Sequence, residues 1–513
     1  MDGTQGRVMQ LALVYSRAGF GVQAPLVTVE VHLSPGLPAF NIVGLPEAAV
    51  KESKDRVRSA LINARFEFPA QRITVNLAPA DLPKDGARFD LPIALGILAA
   101  SGQLPAKELE QREFIGELAL SGELRRVPGS LPVALACRAA ERELIVPTLN
   151  AEEASLAGGK LYAASHLLEV CAHLSGQQRL PEFLVANTEK RNGRHYPDLA
   201  DVHGQATAKR ALTIAAAGSH NLLFIGPPGT GKTMLASRLP GILPDMSDQE
   251  AVESASVCSI SASGIEREQW KQRPFRSPHH TASAVALVGG SANPRPGEIS
   301  LAHNGVLFLD ELPEFDRHVL EVLREPLESG RVTISRAASQ AEFPARFQLV
   351  AAMNPCPCGY YGNPERCRCT PLEVRRYLNK LSGPFLDRID MHVEVPPVPK
   401  EQLLNPRGQQ EVGSAEVRQK VDMARDRQQQ RGRLNHQLSP QEIQQHCALA
   451  DADRQLLETA LDKLGLSARA CHRILRVART IADLSQSDNI GRSHLLEALS
   501  YRRLERLQQA LAF

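Results

Sequence analysis

Short apolar runs alternate with amphipathic segments through the first 180 residues of the chain. The apolar runs predict β-strands at 27–33, 73–77 and 144–146. Apolar residues recur at helical spacing elsewhere in this region, which predicts helices at 47–64, 92–101 and 131–141. Short strands that alternate with helices are typical of an α/β or α+β domain.

A second α/β pattern occupies the middle of the chain, and the end is helical. Strands are predicted at 221–225, 306–309 and 347–353, helices at 205–219, 234–239 and 316–327, and a β-hairpin that turns near 336–338. From residue 414 onward the pattern is helical, with breaks at Gly432 and Gly465. We place the chain in the α/β class, with an α+β domain at 1–185, a linker at 186–200, an α/β domain at 201–397, a connector at 398–413 and an all-α lid at 414–513.

Residues 226–233 form a glycine-rich loop, GPPGTGKT, between a predicted strand and a predicted helix. Glycines allow successive backbone N–H groups to face phosphate oxygens, and the helix N-terminus adds a favourable dipole for anions. Lys232 can reach the β- and γ-phosphates, and the Thr233 hydroxyl can bind Mg²⁺. The pattern predicts an ATP site, against the alternative of a glycine turn with no ligand. The predicted nucleotide-binding residues of the loop are Gly226, Pro227, Pro228, Gly229, Thr230, Gly231, Lys232 and Thr233.

Polar side chains follow two other predicted strands. The run 306–309 ends in Asp310 and Glu311, and a buried parallel strand presents such carboxylates at its C-terminal end. Asp310 would support the nucleotide-associated Mg²⁺ through the waters of that ion, and Glu311 would polarise the attacking water. Asn354 follows a further strand and is placed to contact the γ-phosphate or to orient that water. The alternatives without catalytic meaning are a strand end with an acidic helix cap and a loop-capping Asn.

Four of the nine cysteines cluster as two Cys-x-Cys pairs around an eight-residue loop: Cys356, Cys358, Cys367 and Cys369. Four thiolates on a tight turn can hold a tetrahedral Zn²⁺ ion, and the metal would order a loop that has few apolar residues. The spacing differs from the commoner C-x₂-C knuckle, and a redox pair is the alternative to zinc. The other five cysteines are scattered, which is typical of buried thiols.

Composition limits the partners of the chain. The 513 residues carry a net charge of +2, so any contact with nucleic acid must be local. The local candidates are Arg276, His279 and His280 in the insert 257–300, with Ser335 and Arg336 at the hairpin tip. The two histidines could bind metal, but no cysteine or acidic residue lies at ligand spacing, which favours a structural or DNA-facing loop. The lack of a secretory signal and of a long apolar run predicts a cytoplasmic protein without a membrane partner.

The order of these motifs resembles one known family. The chain is similar to the ComM/YifB family of AAA+ ATPases, in the magnesium-chelatase-like branch, at GPPGTGKT (226–233), SPHHTASAVALVGG (277–290), LFLDEL (307–312), AAMN (351–354), LSGPFLDRID (381–390) and LSARACHRILRVARTIADL (466–484). The resemblance implies a ring of identical subunits, a hexamer, with ATP bound between subunits. It also implies a motor that acts on single-stranded and branched DNA, by helicase activity or branch migration in natural transformation, with recombination proteins as partners.

The resemblance also implies roles for arginines in two of these segments. Arg388 matches the arginine finger, which would enter a neighbouring subunit's site and stabilise charge on the transferred phosphoryl group. Arg469 matches the sensor arginine of the helical lid, with Arg473 and Arg476 as alternatives on the same helix face. The catalytic residues expected from motif and resemblance together are Glu311, Asn354, Arg388 and Arg469.

The stretches 29–64 and 73–104 resemble the domain that precedes the ATPase in magnesium-chelatase-like proteins, which is similar to the Lon peptidase fold. Such peptidases need a nucleophilic serine soon after a KDG-like turn and a lysine base in a later helix. Here 84–86 is KDG, but the next four residues are Ala, Arg, Phe and Asp, and 122–140 contains no lysine. We expect a peptidase-like scaffold without peptidase chemistry.

Three alternatives to a DNA motor stay open at the level of sequence. A metal-insertion motor of the magnesium-chelatase kind shares the fold, although the cysteine loop and the peptidase-like domain are not expected in such a subunit. A protein-remodelling ATPase is compatible with the same nucleotide motifs. A nucleotide-switched binding scaffold would need no motor activity at all.

Overall fold

The computed structural model describes residues 11–184, 196–261, 264–265, 269–290, 294–336, 339–399, 411–464 and 466–502. Two main β-sheets and a C-terminal helical region make up this part of the chain. Most of the predicted linker 186–200, most of the connector 398–413, the hairpin turn at 337–338 and the break at Gly465 lie outside the described residues.

A mixed seven-stranded sheet organises the first region. The strands here are β1 (Leu11–Arg17), β2 (Leu26–Ser34), β3 (Ala39–Val43), β4 (Arg72–Ala78), β5 (Arg112–Phe114), β6 (Glu117–Leu118), β7 (Leu124–Arg125), β8 (Glu143–Pro147) and β9 (Leu161–Ala164). The order in the sheet is β3-β4-β2-β1-β5-β8-β9, and β2 runs antiparallel to both of its neighbours. β6 and β7 form a separate ribbon. The strands predicted at 27–33, 73–77 and 144–146 are thus confirmed within β2, β4 and β8.

Six helices accompany this sheet: α1 (Ala48–Lys51), α2 (Ser53–Asn63), α3 (Asp90–Ala100), α4 (Ser130–Ala139), α5 (Thr148–Ser155) and α6 (Leu167–Leu174). Every residue of α3 is buried, because the helix packs directly on the sheet. Gly96 permits this approach, since a Cβ at that position would lie 2.5 Å from Cγ2 of Val31 in β2. The helix predicted at 47–64 is interrupted at Glu52.

The second main sheet contains five parallel strands. The strands of this region are β10 (Leu222–Ile225), β11 (Phe275–Arg276), β12 (Gly289–Gly290), β13 (Arg295–Pro296), β14 (Val306–Leu309), β15 (Arg331–Arg336), β16 (Ser339–Pro344), β17 (Gln348–Met353) and β18 (Met391–Glu394). The order is β11-β14-β17-β10-β18, while β12–β13 and β15–β16 form hairpins. Because all five strands run the same way, the loops that follow β10, β14 and β17 meet at one edge.

The helices of this region are α7 (Ala206–Gly218), α8 (Lys232–Ile242), α9 (Asp248–Ile260), α10 (Ala284–Val288), α11 (Glu298–Leu301), α12 (Arg317–Glu321), α13 (Arg324–Ser329), α14 (Pro371–Leu378) and α15 (Gly383–Leu386). The single helix predicted at 316–327 is wrong, because two short helices occupy the segment. Pro326 has no N–H to donate to the Val322 carbonyl, and it therefore lies in the first turn of a new helix.

The C-terminal region is helical, as predicted: α16 (Ser414–Gln430), α17 (Pro440–His446), α18 (Asp451–Leu464), α19 (Ala468–Leu484) and α20 (Arg492–Ser500). It shares one apolar core with α7, α8 and the parallel sheet. Side chains also bind the C-terminal end of α7. Gln428 Nε2 donates to the Ala217 carbonyl at 3.0 Å, and the Thr480 hydroxyl lies 2.7 Å from Nε2 of His220. The lid is therefore anchored to the helix that precedes the nucleotide loop.

Candidate active site

The glycine-rich loop joins β10 directly to α8. Gly229 and Gly231 have φ values of 77° and 87°, which a residue with a Cβ adopts only under strain. Gly226 is required for a different reason, because a Cβ there would lie 2.2 Å from the Val395 carbonyl oxygen. The loop therefore curls closely over the ends of β10 and β18 and opens at the N-terminus of α8, where a phosphate is favoured.

Lys232 is buried at the centre of this loop. Its Nζ donates to the carbonyls of Gly226 and Pro227 at 2.7 and 2.8 Å, and to Oδ1 of Asn354 at 3.2 Å. Burial lowers the pKa of Lys232, and the charges of two nearby carboxylates at the end of β14 oppose that shift. The order of the sheet explains the contact with Asn354, because β17 lies beside β10.

Thr233 and Asp310 meet at the same edge. The Thr233 hydroxyl donates to Oδ2 of Asp310 at 2.6 Å, and the backbone N–H of Glu311 donates to Oδ1 of Asp310 at 2.9 Å. A hydroxyl and a carboxylate this close offer the hard oxygen ligands that Mg²⁺ prefers. The arrangement therefore fits a magnesium ion that completes its coordination with water and phosphate oxygens.

The carboxylate of Glu311 has a partner that the motif did not predict. Nδ1 of His280 lies 3.1 Å from Oε2 of Glu311, and the His280 ring lies 4.1 Å from the ring of His279. The histidine pair was predicted to be structural or DNA-facing. The structure places His280 at the edge where the loops after β10, β14 and β17 meet, which we call the nucleotide edge. The strand order explains the position of His280, because β11 precedes the histidines and pairs in parallel with β14.

Arg388 lies just before β18, at the N-terminal ends of the parallel strands. This edge of the sheet is opposite the one that carries the glycine-rich loop. Its Nη2 lies 2.5 Å from Oε1 of Glu328, and its other nitrogens donate to the carbonyls of Arg324 and Pro384 at 3.1 and 2.6 Å. The structure therefore does not bring Arg388 together with the glycine-rich loop of the same chain. The role of Arg388 as an arginine finger stays a prediction.

The three arginines predicted for the lid differ in environment. Arg469 is exposed in the first turn of α19. Arg473 is largely buried, with Nε 3.8 Å from Oδ1 of Asp390, and Arg476 donates to the Leu438 carbonyl. Burial lowers the pKa values of both Arg473 and Arg476. These two alternatives are thus engaged at the sheet–lid junction, which leaves Arg469 as the one that is open to solvent.

A cavity of about 760 Å³ surrounds Arg388 at this edge. Six of its lining residues are arginines: Arg273, Arg346, Arg388, Arg425, Arg473 and Arg476. Acidic residues line it as well, among them Glu328 and Asp390. Burial raises the pKa of Asp390, but the hydrogen bond with His220 and the charge of Arg473 outweigh this and hold it well below the usual range. The cavity therefore combines ion pairs with a surplus of guanidinium groups.

The four clustered cysteines form a compact sulfur site. Their Sγ atoms all lie within 4.8 Å of one another, and the separations among Cys356, Cys358 and Cys367 are 3.3, 3.7 and 3.9 Å. A tetrahedron with metal–sulfur bonds of about 2.3 Å has edges of about 3.8 Å, so the geometry fits Zn²⁺. All nine cysteines are free thiols, and this cluster is the group of potential metal ligands found within the described ranges.

The cysteine cluster packs directly on the nucleotide site. Gly359 has a φ of 87°, and a Cβ there would lie 2.7 Å from Cδ of Pro228 in the glycine-rich loop. Cys356 is fully buried two residues after Asn354. The two segments are therefore in van der Waals contact, although Pro228 and Gly359 are far apart in the sequence.

The residues tested for peptidase chemistry do not form a catalytic pair. Lys84 is buried and donates to the Pro79 carbonyl. Arg88, at the position after Ala87, donates from Nη2 to the Pro128 carbonyl at 2.9 Å. Asp90 accepts hydrogen bonds from Ser53 and Arg56. These contacts are structural, and both the peptidase-like fold and the lack of peptidase chemistry stay predictions.

Three family models match successive parts of the chain. The model described as magnesium chelatase, subunit ChlI, matches residues 198–403, subunit ChlI of Mg-chelatase matches 29–150, and the ChlI C-terminal part matches 411–502. Within the described residues, no helix combines the length and the apolar composition that a membrane crossing needs. The fold, the nucleotide edge and these matches define an AAA+ ATPase of the magnesium-chelatase type.

Individual relatives narrow this class. The chain is 59% identical over 509 residues to competence protein ComM of Haemophilus influenzae, which covers 98% of this chain and 100% of that protein. It is 55% identical over 502 residues to YifB, an uncharacterized protein of Escherichia coli, which covers 97% and 98%. The magnesium-chelatase 38 kDa subunit of Rhodobacter capsulatus is 27% identical over 327 residues, 58% of this chain and 85% of that subunit. The chain belongs to the ComM/YifB family, and membership implies ATPase activity.

Proposed function

We propose that the protein is an ATP-driven ring motor that acts on single-stranded and branched DNA, as a helicase or branch-migration enzyme for recombination intermediates in natural transformation. The observation that carries the proposal is the full-length similarity to a competence protein, supported by the contacts of Lys232 with Asn354 and of Thr233 with Asp310. We place it in the cytoplasm, since nine cysteines without a disulfide bond suit a reducing compartment, and recombination proteins are the expected partners.

The proposed chemistry follows from the nucleotide edge. ATP binds over the glycine-rich loop, and Lys232 exchanges its carbonyl partners for phosphate oxygens. Thr233 and Asp310 would hold Mg²⁺, which would neutralise phosphate charge. Glu311 orients and polarises the attacking water. Asn354 contacts the γ-phosphate, and its side chain keeps the hydrogen bond with Lys232. Positioning and electrostatics account for most of the rate in such reactions.

Arg388 completes the site of a neighbour in this proposal. It lies at the edge of the sheet opposite the glycine-rich loop, in a cavity lined by arginines. Identical subunits that pack head to tail bring such an edge against the nucleotide edge of the next copy, and a rotation that closes gives a ring, here a hexamer. Arg388 then leaves Glu328 and stabilises the transferred phosphoryl group, with Arg469 as the sensor of the lid.

We infer that the cysteine cluster holds a structural Zn²⁺ through Cys356, Cys358, Cys367 and Cys369. The sulfur separations support a tetrahedral site, and a structural zinc site is closed by four protein ligands. A redox pair, the alternative, would need only two of the four thiols. The metal would supply no chemistry to ATP hydrolysis; it would hold the loop that packs on Pro228.

The second candidate is a motor of the magnesium-chelatase kind, or a protein-remodelling ATPase, that does not act on DNA. The observation that favours it is the match of three magnesium-chelatase models along the chain. The cysteine cluster and the full-length similarity to ComM favour the DNA motor instead.

ATP hydrolysis measured with and without DNA separates these candidates. We expect single-stranded and branched DNA to stimulate the rate several-fold, and branched substrates to be unwound or migrated only with hydrolysable ATP. The Glu311→Gln variant should bind ATP and DNA without turnover. An ATPase rate that responds to a protein and not to either DNA contradicts the DNA motor and supports the remodelling enzyme.

A further inference from the structure

A cavity of about 310 Å³ lies between the seven-stranded-sheet region and the parallel-sheet region, and its size is that of a small-molecule site. The first region contributes the loop between β1 and β2, the turn 85–88 and the residues around the start of α4. The second region contributes the end of α9 with Pro294 and Arg295. The residues that line this cavity, which we call the junction cavity, are distinct from those of the nucleotide edge and of the arginine-lined cavity.

Arg88 lines the junction cavity with a guanidinium whose hydrogen bonds are incomplete. The residue is 8% exposed, and Nη2 donates to the Pro128 carbonyl at 2.9 Å. Nε and Nη1 are buried and have no hydrogen-bond partner among the described residues. Gly19 lies against the group, since a Cβ there would come within 2.9 Å of Nη2. A buried cation with unused donors has a large desolvation cost unless an acceptor completes its hydrogen bonds.

The carboxylates of the lining do not supply this acceptor. Burial lowers the pKa of Arg88 to about 10, and the charge of Asp85 opposes that shift, so the group stays protonated at neutral pH. The Asp85 carboxylate is hydrogen-bonded to Glu47, whose pKa is raised by burial and by this neighbour. The other acidic residue of the lining, Glu117, lies 3.6 Å from Nη1 of Arg125. A ligand is therefore the remaining source of an acceptor within the described part of the chain.

The surroundings favour a negatively charged ligand. Gly129 and Pro132 line the cavity at the N-terminus of α4, a ten-residue helix whose dipole favours an anion at this end. Arg126 and Arg295 also line the cavity, although Arg126 shares the Glu153 carboxylate at 3.1 Å. The lining thus has three arginines against two carboxylates.

The junction cavity lies among contacts that join the two regions. The Gly129 N–H donates to the Ser259 carbonyl in the last turn of α9 at 2.9 Å. In the loop between β1 and β2, Val22 packs against the core of the parallel-sheet region, and a Cβ at Gly21 would lie 3.4 Å from the Glu342 carbonyl oxygen in β16. A ligand in the cavity would contact both regions, so its binding would favour the arrangement in which they are docked.

We propose that the junction cavity is an effector site for a small organic oxyanion, whose phosphoryl or carboxylate group accepts hydrogen bonds from Arg88. The body of the ligand lies between the start of α4 and the end of α9, and the loop at Gly19 shifts to open the unused donors. The bound ligand holds the two regions together. This site is separate from the nucleotide site, and the inference does not depend on whether the motor acts on DNA.

Thermal unfolding of the full chain tests the site, with inorganic phosphate and succinate as probes. ADP and Mg²⁺ are present throughout to occupy the glycine-rich loop, and sodium chloride keeps the ionic strength constant. At about 50 mM, at least one probe should raise the unfolding midpoint of the wild type by about 2 °C and leave that of Arg88→Met unchanged. Arg138→Met is the matched control, because Arg138 also donates to a backbone carbonyl but lies at the other end of α4.

The comparison separates binding at Arg88 from a structural role. Other anion sites respond equally in wild type and variant, so an undiminished response of Arg88→Met overturns the inference. A response to phosphate alone assigns a phosphoryl group, and a response to succinate alone assigns a carboxylate. A wild-type midpoint that responds to neither probe overturns the site.

Hydrogen exchange of the wild-type chain tests the location without a substitution. The probe that raises the midpoint should slow exchange of the Gly129 and Leu131 amides about tenfold, since both donate to Ser259 across the junction. Slower exchange that is confined to the glycine-rich loop or to the arginine-lined cavity would place the anion elsewhere and overturn the inference.

Discussion

Lys232 shows how much a single side chain contributes to this site. Its ammonium is buried and has three oxygen partners, two of them carbonyls of the loop it serves. A charged group in such a place cannot lose its partners without a large desolvation cost, so in the proposed mechanism phosphate oxygens replace them. Lys232 stabilises the loop through these contacts, and we expect it to stabilise the bound nucleotide as well.

Replacement of Lys232 by Met should weaken ATP binding about 100-fold, because two charge-assisted hydrogen bonds to phosphate are lost. A fluorescent ATP analogue titrated into the variant measures the loss. Lys380→Met is the matched control, since Lys380 is exposed and paired with Glu314. Equal affinities of wild type and Lys232→Met would contradict the assignment of the loop.

The local motifs of the site could be predicted from the sequence, and its long-range contacts could not. The pattern GPPGTGKT and the pair Asp310–Glu311 each lie within a few residues, so spacing alone describes their chemistry. The contacts of His280 with Glu311 and of Pro228 with Gly359 join segments that only the strand order brings together. Nothing in the spacing of those residues indicates which loops leave the sheet at the same edge.

At the level of elements, the cysteine loop and the glycine-rich loop are in direct contact. Gly359 leaves space for Pro228, and Cys356 follows closely on Asn354. A loop with few apolar residues needs another source of order, which four metal–thiolate bonds would supply. Order in the cysteine loop and order in the nucleotide site should therefore rise and fall together.

The double variant Cys356→Ser, Cys358→Ser should lose its zinc, from about one ion per chain to none, because a closed site needs four ligands. Elemental analysis of the purified protein measures the ratio. Cys471→Ser, outside the cluster, is the control that should keep the metal. An unchanged zinc ratio in the double variant would remove the metal site from the proposal.

Gly359→Ala separates metal binding from the contact with the glycine-rich loop. The added methyl group meets Pro228 at 2.7 Å and the backbone at φ 87° becomes strained. We expect full zinc content with ATP turnover reduced about tenfold, measured side by side on one preparation. Gly362→Ala is the matched control, since its φ is 91° but a Cβ there meets no atom within 4 Å. Equal ATP turnover in both variants would show that the contact between Gly359 and Pro228 does not affect hydrolysis.

The lid is joined to the sheet domain by a half-buried histidine, His436. Nδ1 of His436 lies 3.2 Å from the Gly218 carbonyl at the end of α7. Burial lowers the pKa of His436 to about 4, and the charge of His220 adds to the effect. In the unfolded chain a histidine titrates near pH 6.5, so between about pH 4 and 6.5 only the unfolded state binds the proton. Stability should therefore fall as the pH falls through this window.

His436→Gln removes this titration and keeps a donor for the Gly218 carbonyl. Between about pH 7.5 and pH 5 the wild-type chain should lose about 2 kcal/mol more unfolding free energy than the variant. Urea titrations at the two pH values measure the difference. His303, whose pKa burial also lowers to about 4, contributes to both proteins and cancels in the comparison. Parallel pH profiles for the two proteins would exclude the titration of His436 as the cause of the loss of stability at low pH.

For the whole molecule, the proposed ring would bring two edges of the parallel sheet from neighbouring copies together. The nucleotide edge has Lys232 and Glu311, and the other edge has Arg388 in its arginine-lined cavity. In that proposal a single copy has an incomplete site, and we expect the activity to depend on protein concentration. The strands could be predicted from the sequence because they are short and apolar. The assignment of Arg388 to a neighbouring subunit rested on the family resemblance alone.

Mixing variants tests the shared site. Lys232→Ala and Arg388→Ala should each be inactive alone, because every site lacks one half. An equal mixture should recover roughly a quarter of the wild-type ATPase rate, since random assembly pairs an intact loop with an intact arginine at that frequency. Arg375→Ala, at an exposed helix position, serves as the active control. A mixture that stays inactive would place both residues in the same subunit's site.

Asp390 has a consequence for how such a ring would work. It lies two residues after Arg388, and it contacts Arg473 of the lid and His220 at the end of the helix before the glycine-rich loop. In the proposed ring, a lid that tilts over its own nucleotide would move Arg473, and Asp390 would transmit that movement to Arg388 two residues away. The arginine that each subunit offers to the next would then be coupled to the nucleotide that the same subunit binds, and we expect ATP hydrolysis to proceed in sequence around the ring.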